Sequence, residues 1–319
     1  MTRRAAPLLP LDERGSVVTI GTFDGVHRGH QEVLRELVER GRAAGRRTVI
    51  VTFHPHPLKV IRPEAAPPLI TSTPEKKLLL ASSGAHYALF LRFTRELQQY
   101  PARRFVEEIL LGRLGMRELV IGHDHGFGRG REGSVDTMRE LGAELGFDVS
   151  VVEPVRLAEQ PISSTRARQA IEAGDVAEAA RCLGRQYSIG GIVVHGERRG
   201  RELGFPTANI QTDDADKLLP APGIYAVYGR FRGECVPGLL HLGPRPTFPG
   251  SPPSIELYLF DWSGDLYGAR VEVELRHRLR EIRPYEGAEA LIAQMRRDEA
   301  EGRALLLREP RPSGCVSPG

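Results

Sequence analysis

Residues 21–30 read Gly-Thr-Phe-Asp-Gly-Val-His-Arg-Gly-His, between the apolar run Val17–Ile20 and a helix-like stretch from Gln31 to Ala44. A strand, a glycine-bearing turn and a helix start gather free backbone N–H groups, and the helix dipole favours an anion there. His27 and His30, three residues apart, can add hydrogen bonds and charge to a bound phosphate. Asp24, the acid of the turn, is open to a turn or ribose contact or to a structural role. Residues 162–168, Ile-Ser-Ser-Thr-Arg-Ala-Arg, place hydroxyls and arginines just before a second helix. Alone they read as an ordinary N-cap. Together with the histidine turn they read as a second anion site, since both follow strands of one sheet and arginine clamps phosphate oxygens.

A third piece, 122–133, holds five glycines in twelve residues, a loop that lets a flat ligand approach backbone. His123, Asp124 and His125 inside it invite a metal reading, but such short patterns recur by chance. His54 and His56 invite the same suspicion, and their prolines more simply mark a strand end entering a loop. In the second half, Gly196, Gly200 and Gly204 punctuate a basic loop suited to covering phosphates. Thr207 and Asn209, two apart on extended chain, face the same way and offer hard oxygens to magnesium. A plain turn with local hydrogen bonds is the alternative. Glu256 falls on the face of Tyr258 and Phe260, where a carboxylate suits a general base beside a flat organic substrate. Its alternative is an edge-strand glutamate in water.

The elements around these residues fall into two rhythms. From Ser16 to Gly184, strands are predicted at Val17–Ile20, Thr48–Phe53, Tyr87–Phe93, Glu118–Gly122 and Val149–Val152. Helices alternate with them at Gln31–Ala44, Pro74–Ser83, Ala102–Leu114 and Val135–Leu145, and Arg166–Ala173 and Val176–Leu183 close the half. This alternation argues for a parallel α/β sheet covered by helices, a Rossmann-like domain over residues 1–183. From Tyr187 short strands dominate: Ile189–His195, Ile224–Gly229, Gly238–Leu242, Ile255–Phe260 and Val271–Leu275. A helix near Gly287–Glu299 follows. They predict a small antiparallel β-barrel with a closing helix over 184–308, and a disordered Pro/Ser/Gly tail at 309–319.

A net charge of +3, from 44 basic and 41 acidic residues, does not suggest a nucleic-acid binder. Cys182, Cys235 and Cys315 lie far apart, which indicates neither a disulfide framework nor a zinc site and fits a reducing cytoplasm. Met1–Leu11 is too short and Pro-broken for a signal peptide, and no run reaches membrane-spanning length.

The decapeptide resembles the histidine signature of adenylyl-transferring nucleotidyltransferases, and Ile-Ser-Ser-Thr-Arg resembles their second phosphate motif. With the glycine-rich loop, the first half looks like the FMN adenylyltransferase module of bacterial bifunctional riboflavin kinase/FAD synthetases. The resemblance implies that Gly21, Phe23, Gly25, His27 and His30 hold ATP, with Ser164, Thr165 and Arg166 on its phosphates. It implies that Asp124, Phe127 and Arg131 face FMN. His54 stands where the family more often has an acid, and His125 where it has an aromatic. Gly-Phe-Pro-Thr-Ala-Asn and the Glu256 strand look like the riboflavin kinase module over about Leu183 to Leu307. That implies Thr207 and Asn209 at Mg2+ and ATP, Glu256 as the base on the ribityl hydroxyl, and Arg280 at the flavin. His241 replaces the usual Asn.

The implied chemistry agrees with the residues. The FMN phosphate is already an anion, so attack on the α-phosphorus of ATP needs donors rather than a base. The neutral alcohol of riboflavin does gain from a base. The expectation is a cytoplasmic enzyme, monomeric or weakly oligomeric, with ATP, riboflavin and FMN as substrates and neither nucleic acid nor membrane as partner. Two rivals are a nucleotidyltransferase for another phosphorylated metabolite and a flavin-responsive regulator without turnover.

Overall fold

The computed structural model describes residues 8, 12–196, 204–244 and 254–312, without the side chain of Arg131. The chain divides into two compact units, at residue 164.

The first unit is built on β1 (Ser16–Ile20), α1 (Arg28–Ala44), β2 (Arg47–His54), α2 (Thr73–Ala81) and β3 (Tyr87–Arg92). A helical stretch at 102–114, here α3, carries a π-turn at Val106–Leu111. β4 (Met116–Gly122), α4 (Val135–Leu145) and β5 (Asp148–Val152) complete the sheet. The strands are all parallel in the order β3-β2-β1-β4-β5. Alternate residues of β1 serve opposite faces. Val17 packs with Val33, Leu34 and Leu37 of α1 and Leu80 of α2. Val18 and Ile20 pack with Phe105, Leu110 and Met138 on the other side. β1 and β4 are neighbours although they are far apart in sequence, so the strand order reverses between them. Their carboxyl ends form the crevice where open α/β sheets bind ligands. The histidine turn follows one of these strands and the glycine-rich loop follows the other.

In the second unit come α5, whose full range is Ser164–Glu172, and α6 (Val176–Leu183). β6 (Ser188–Val194), β7 (Thr207–Thr212), β8 (Gly223–Phe231), β9 (Glu234–Gly243), β10 (Ser254–Leu259) and β11 (Arg270–Arg280) then close a barrel. Its order is β8-β9-β10-β7-β6-β11, antiparallel throughout. Tyr225, Val227, Leu240, Leu257 and Leu275 share one strand face by register and are buried as the barrel core. The other face, with Ala226, Tyr228, Leu239 and Phe260, packs against Leu306 of α7 (Ala288–Leu306).

Two expectations change. A strand at Thr207–Thr212 joins the barrel where the sequence marked only extended chain. Glu309 pairs with Arg276 and His277, so the chain stays held past the point where a disordered tail was expected; 313–319 lie outside the described residues.

Candidate functional sites

The histidine turn is fixed from below by Asp24. Its carboxylate, 2% exposed, accepts from Ile70 N and Thr71 N at 3.1 Å each and from Thr71 Oγ1 at 3.3 Å. Thr71 Oγ1 in turn accepts from Gly25 N at 3.1 Å. Asp24 is therefore the structural anchor of the turn. This anchoring tolerates strain: Phe23 and Val26 hold φ of +48° and +38°, costly for side chains with a Cβ and found where surroundings over-determine the backbone. Gly25, at φ +80°, has its Cβ position 3.0 Å from Ile70 Cγ2, so both conformation and space call for glycine.

His27 caps α1, its Nδ1 accepting from His30 N at 3.3 Å. An accepting Nδ1 leaves the proton of the neutral ring on Nε2. The two imidazoles stack at 3.7 Å, and Phe23 meets His30 edge-on at 5.1 Å. His30 is half-buried, and its Nδ1 is enclosed with no hydrogen-bond partner. Burial first, then the charges of His27 and Lys76, hold its pKa well below the ordinary imidazole value. An unsatisfied ring nitrogen buried beside a helix N-terminus is a polar group that calls for a partner. Gly21 and Gly29 keep the site open, since a Cβ at either would sit 3.2 Å from the Phe23 or His27 ring.

Ser164 donates through Oγ to the Asp24 carbonyl at 3.0 Å, tying the second motif to the turn. Thr165 opens the second unit, and Arg166 is held there by Glu178, its Nε at 2.9 Å. The glycine-rich loop is latched to the start of α3. Glu132 Oε1 accepts from Ala102 N at 2.7 Å, and Arg129 N donates to the Tyr100 carbonyl. Phe127 packs on Phe105 at 5.3 Å between ring centres, so it serves the core as well as the loop. Asp124 is exposed at the loop entrance. The Arg131 side chain lies outside the described residues. His56 caps the short helix Pro57–Ile61 and His54 meets Thr73 Oγ1 at 3.2 Å. No group of three or more His, Cys, Asp or Glu gathers as a metal site among the described residues.

Lys76 carries no motif, and sequence reasoning passed over it. It lies one turn into α2, 8% exposed, with Nζ donating to the Thr22 carbonyl at 3.1 Å. Its charged place in an amphipathic helix reads as a solvent face.

In the barrel, register does the positioning. Glu256 faces Asn209 on β7 and His241 on β9, while Tyr258 faces Thr207. Thr207 and Glu256 meet directly, with Oγ1 donating to Oε2 at 3.1 Å; Ser254 Oγ donates to Oε1 at 2.8 Å. Phe205 and Phe260 flank Tyr258 at 5.3 and 5.8 Å, and the Tyr258 hydroxyl donates to Glu299 of α7. The predicted hydroxyl, amide and carboxylate thus share one strand face beside aromatics. Gly196 closes on Asn209: a Cβ there would lie 2.1 Å from the amide nitrogen. Gly204, at φ +83°, has open space, and Gly200 lies outside the described residues. Arg280 is not displayed as a loop arginine. Its Nε and Nη2 bond the two oxygens of Asp298 on α7 at 2.8 and 2.6 Å, so it fastens that helix.

Family models described as FAD synthetase and riboflavin kinase match residues 9–166 and 183–306. The bifunctional riboflavin kinase/FMN adenylyltransferase of Escherichia coli K12 is 38% identical over 92% of this chain and 94% of its own length. The protein of that name from Bacillus subtilis is 33% identical over 92% of this chain and 93% of its own length. A crystal structure described as a macrolide-efflux protein from Streptococcus pneumoniae superposes with a TM-score of 0.83 at 30% identity. It covers 92% of this chain and 95% of that one. Among the described residues here, no helix is long and apolar enough to cross a membrane. Two matched segments and full-length relatives converge with two clusters of polar groups, one a glycine turn with stacked imidazoles and one a carboxylate beside hydroxyl and amide oxygens: the chain belongs to the bifunctional riboflavin kinase/FMN adenylyltransferase family, which makes FMN from riboflavin and FAD from FMN.

Proposed function

We propose that the two activities divide as the two sites do, with adenylyl transfer in residues 1–183 and riboflavin phosphorylation in 184–308. The observation that carries this reading is the chemistry of each site. The cradle offers donors and no free carboxylate at its centre, because Asp24 is spent on Ile70 and Thr71. Adenylyl transfer to an anionic phosphate needs charge stabilisation and alignment, not proton removal. His27 presents Nε2–H and His30 its ring to the ATP phosphates, with the Gly29 N–H at the start of α1 alongside. Ser164, Thr165 and Arg166 complete the phosphate contacts, and Asp124, Phe127 and Arg131 bound the FMN side.

The kinase site offers what the cradle lacks. Glu256 takes the proton of the terminal ribityl hydroxyl, while Thr207 and Ser254 hold the carboxylate. Magnesium fits Thr207 and Asn209: both are hard oxygen donors, and the Thr207 hydroxyl keeps lone pairs free while it donates to Glu256. When bound with ATP, the ion offsets phosphate charge. Gly196, Gly200 and Gly204 cover the nucleotide. This setting implies a cytoplasmic enzyme, monomeric or weakly oligomeric, with small molecules as its partners.

The test is His30→Asn in the full chain. FAD formation from supplied FMN should fall at least tenfold while FMN formation from riboflavin holds. Equal loss of both, or of neither, overturns the division.

A further inference from the structure

We propose that Lys76 is a positioning residue for adenylyl transfer: it holds the Thr22 carbonyl, seats the histidine turn, and sets a buried positive charge behind the phosphate cradle. This rests on the reading that the turn binds ATP.

The geometry is specific. Ser72 and Glu75 form a capping box at the start of α2, which fixes the helix one turn before Lys76. Lys76 Nζ and Thr52 Oγ1 both donate to the Thr22 carbonyl, each at 3.1 Å. The chain just before α2 supplies the Ile70 and Thr71 groups that grip Asp24. One short segment therefore clamps the turn at two points, Thr22 through Lys76 and Asp24 through Ile70 and Thr71. A Met or Leu would fill the same space without the cost of burying an ammonium. Burial does lower the Lys76 pKa, and the Asp24 carboxylate opposes that shift. The groups whose charges act on His30 are His27 of its own turn and Lys76 of α2.

The reaction gives such a charge a use. ATP and FMN are both anions, and their repulsion peaks as they are brought together. A fixed cation behind the cradle lowers that repulsion without reorganising. Its effect falls on adenylyl transfer alone, since the kinase chemistry lies in the other unit.

The test compares Lys76→Met with Lys76→Gln in the full-length protein. Lys76→Met should lower kcat/KM for ATP in FAD formation by at least tenfold. Lys76→Gln keeps a donor but no charge and should fall between Met and wild type. Riboflavin phosphorylation should keep its wild-type rate in both. The His30 ring, followed by NMR, should titrate at higher pH in Lys76→Met, a change that a space-filling lysine would not cause. A wild-type rate of FAD formation in Lys76→Met overturns the proposal, provided His30→Asn has lost that activity. If His30→Asn also keeps it, the underlying site reading fails instead. Should Lys76→Met unfold the first unit, Lys76→Gln decides: a wild-type rate and an unmoved His30 titration overturn the proposal.

Discussion

Gly196→Ala separates positioning from folding. The glycine stands outside the left-handed region, so alanine adds no backbone strain. What it adds is a Cβ 2.1 Å from Asn209 Nδ2 and 2.5 Å from Cγ. The amide must retreat by more than about 1 Å to reach ordinary contact. It is the far end of a rotatable side chain, so the retreat costs little stability. It costs alignment: a misplacement of about 1 Å at a reacting site lowers rates about 10²-fold, or about 2.7 kcal/mol. The assay is riboflavin phosphorylation with Mg-ATP, run beside FAD formation from supplied FMN. FMN formation should fall about 10²-fold with thermal stability and FAD formation unchanged. In an Asn209→Ala background the same change should add little, since the group it displaces is gone. Full kinase activity in Gly196→Ala, or an additive loss in the double variant, would refute the reasoning.

Three further outcomes follow from the structure. The His30 pKa lies below its unfolded value of about 6.5, so the unfolded chain binds more protons as pH falls below that point. The first unit should therefore lose thermal stability between about pH 7 and pH 5, and His30→Asn should flatten that dependence. Arg280→Met should lower the stability of the second unit by about 3 kcal/mol, because it strands the buried Asp298. Arg280→Met with Asp298→Leu should regain most of that in thermal unfolding. Glu132→Ala should raise KM for FMN several-fold with KM for ATP unchanged, since it unlatches the glycine-rich loop from Ala102; an unchanged KM for FMN would make the latch irrelevant to flavin.

Periodicity placed the helices Val135–Leu145 and Val176–Leu183 at their observed bounds, because apolar spacing and a following glycine, Gly146 or Gly184, both mark them. The strand Thr207–Thr212 was harder to see. Thr-Ala-Asn-Ile-Gln-Thr buries only Ile210 fully, and its polar face is turned to the site. Short-range motifs marked the candidate site residues: the histidine turn, Ser164, Thr207, Asn209 and Glu256 could be nominated because their spacing is local. Lys76 and Asp298 could not. Each owes its role to a partner brought close only by folding, Thr22 for one and Arg280 for the other. Arg280 shows the converse. A loop arginine reads as available for a ligand until a bidentate carboxylate appears opposite it.

The most direct measurement is product formation by Glu256→Gln. The full chain is given riboflavin, ATP and magnesium in one arm and FMN, ATP and magnesium in the other, with the flavins separated. The amide keeps the shape of the carboxylate but cannot take the ribityl proton. FMN formation should be abolished while FAD formation from supplied FMN continues at the wild-type rate. Loss of both activities, or FMN formation that persists, would contradict a base in the barrel and a base-free cradle in the sheet.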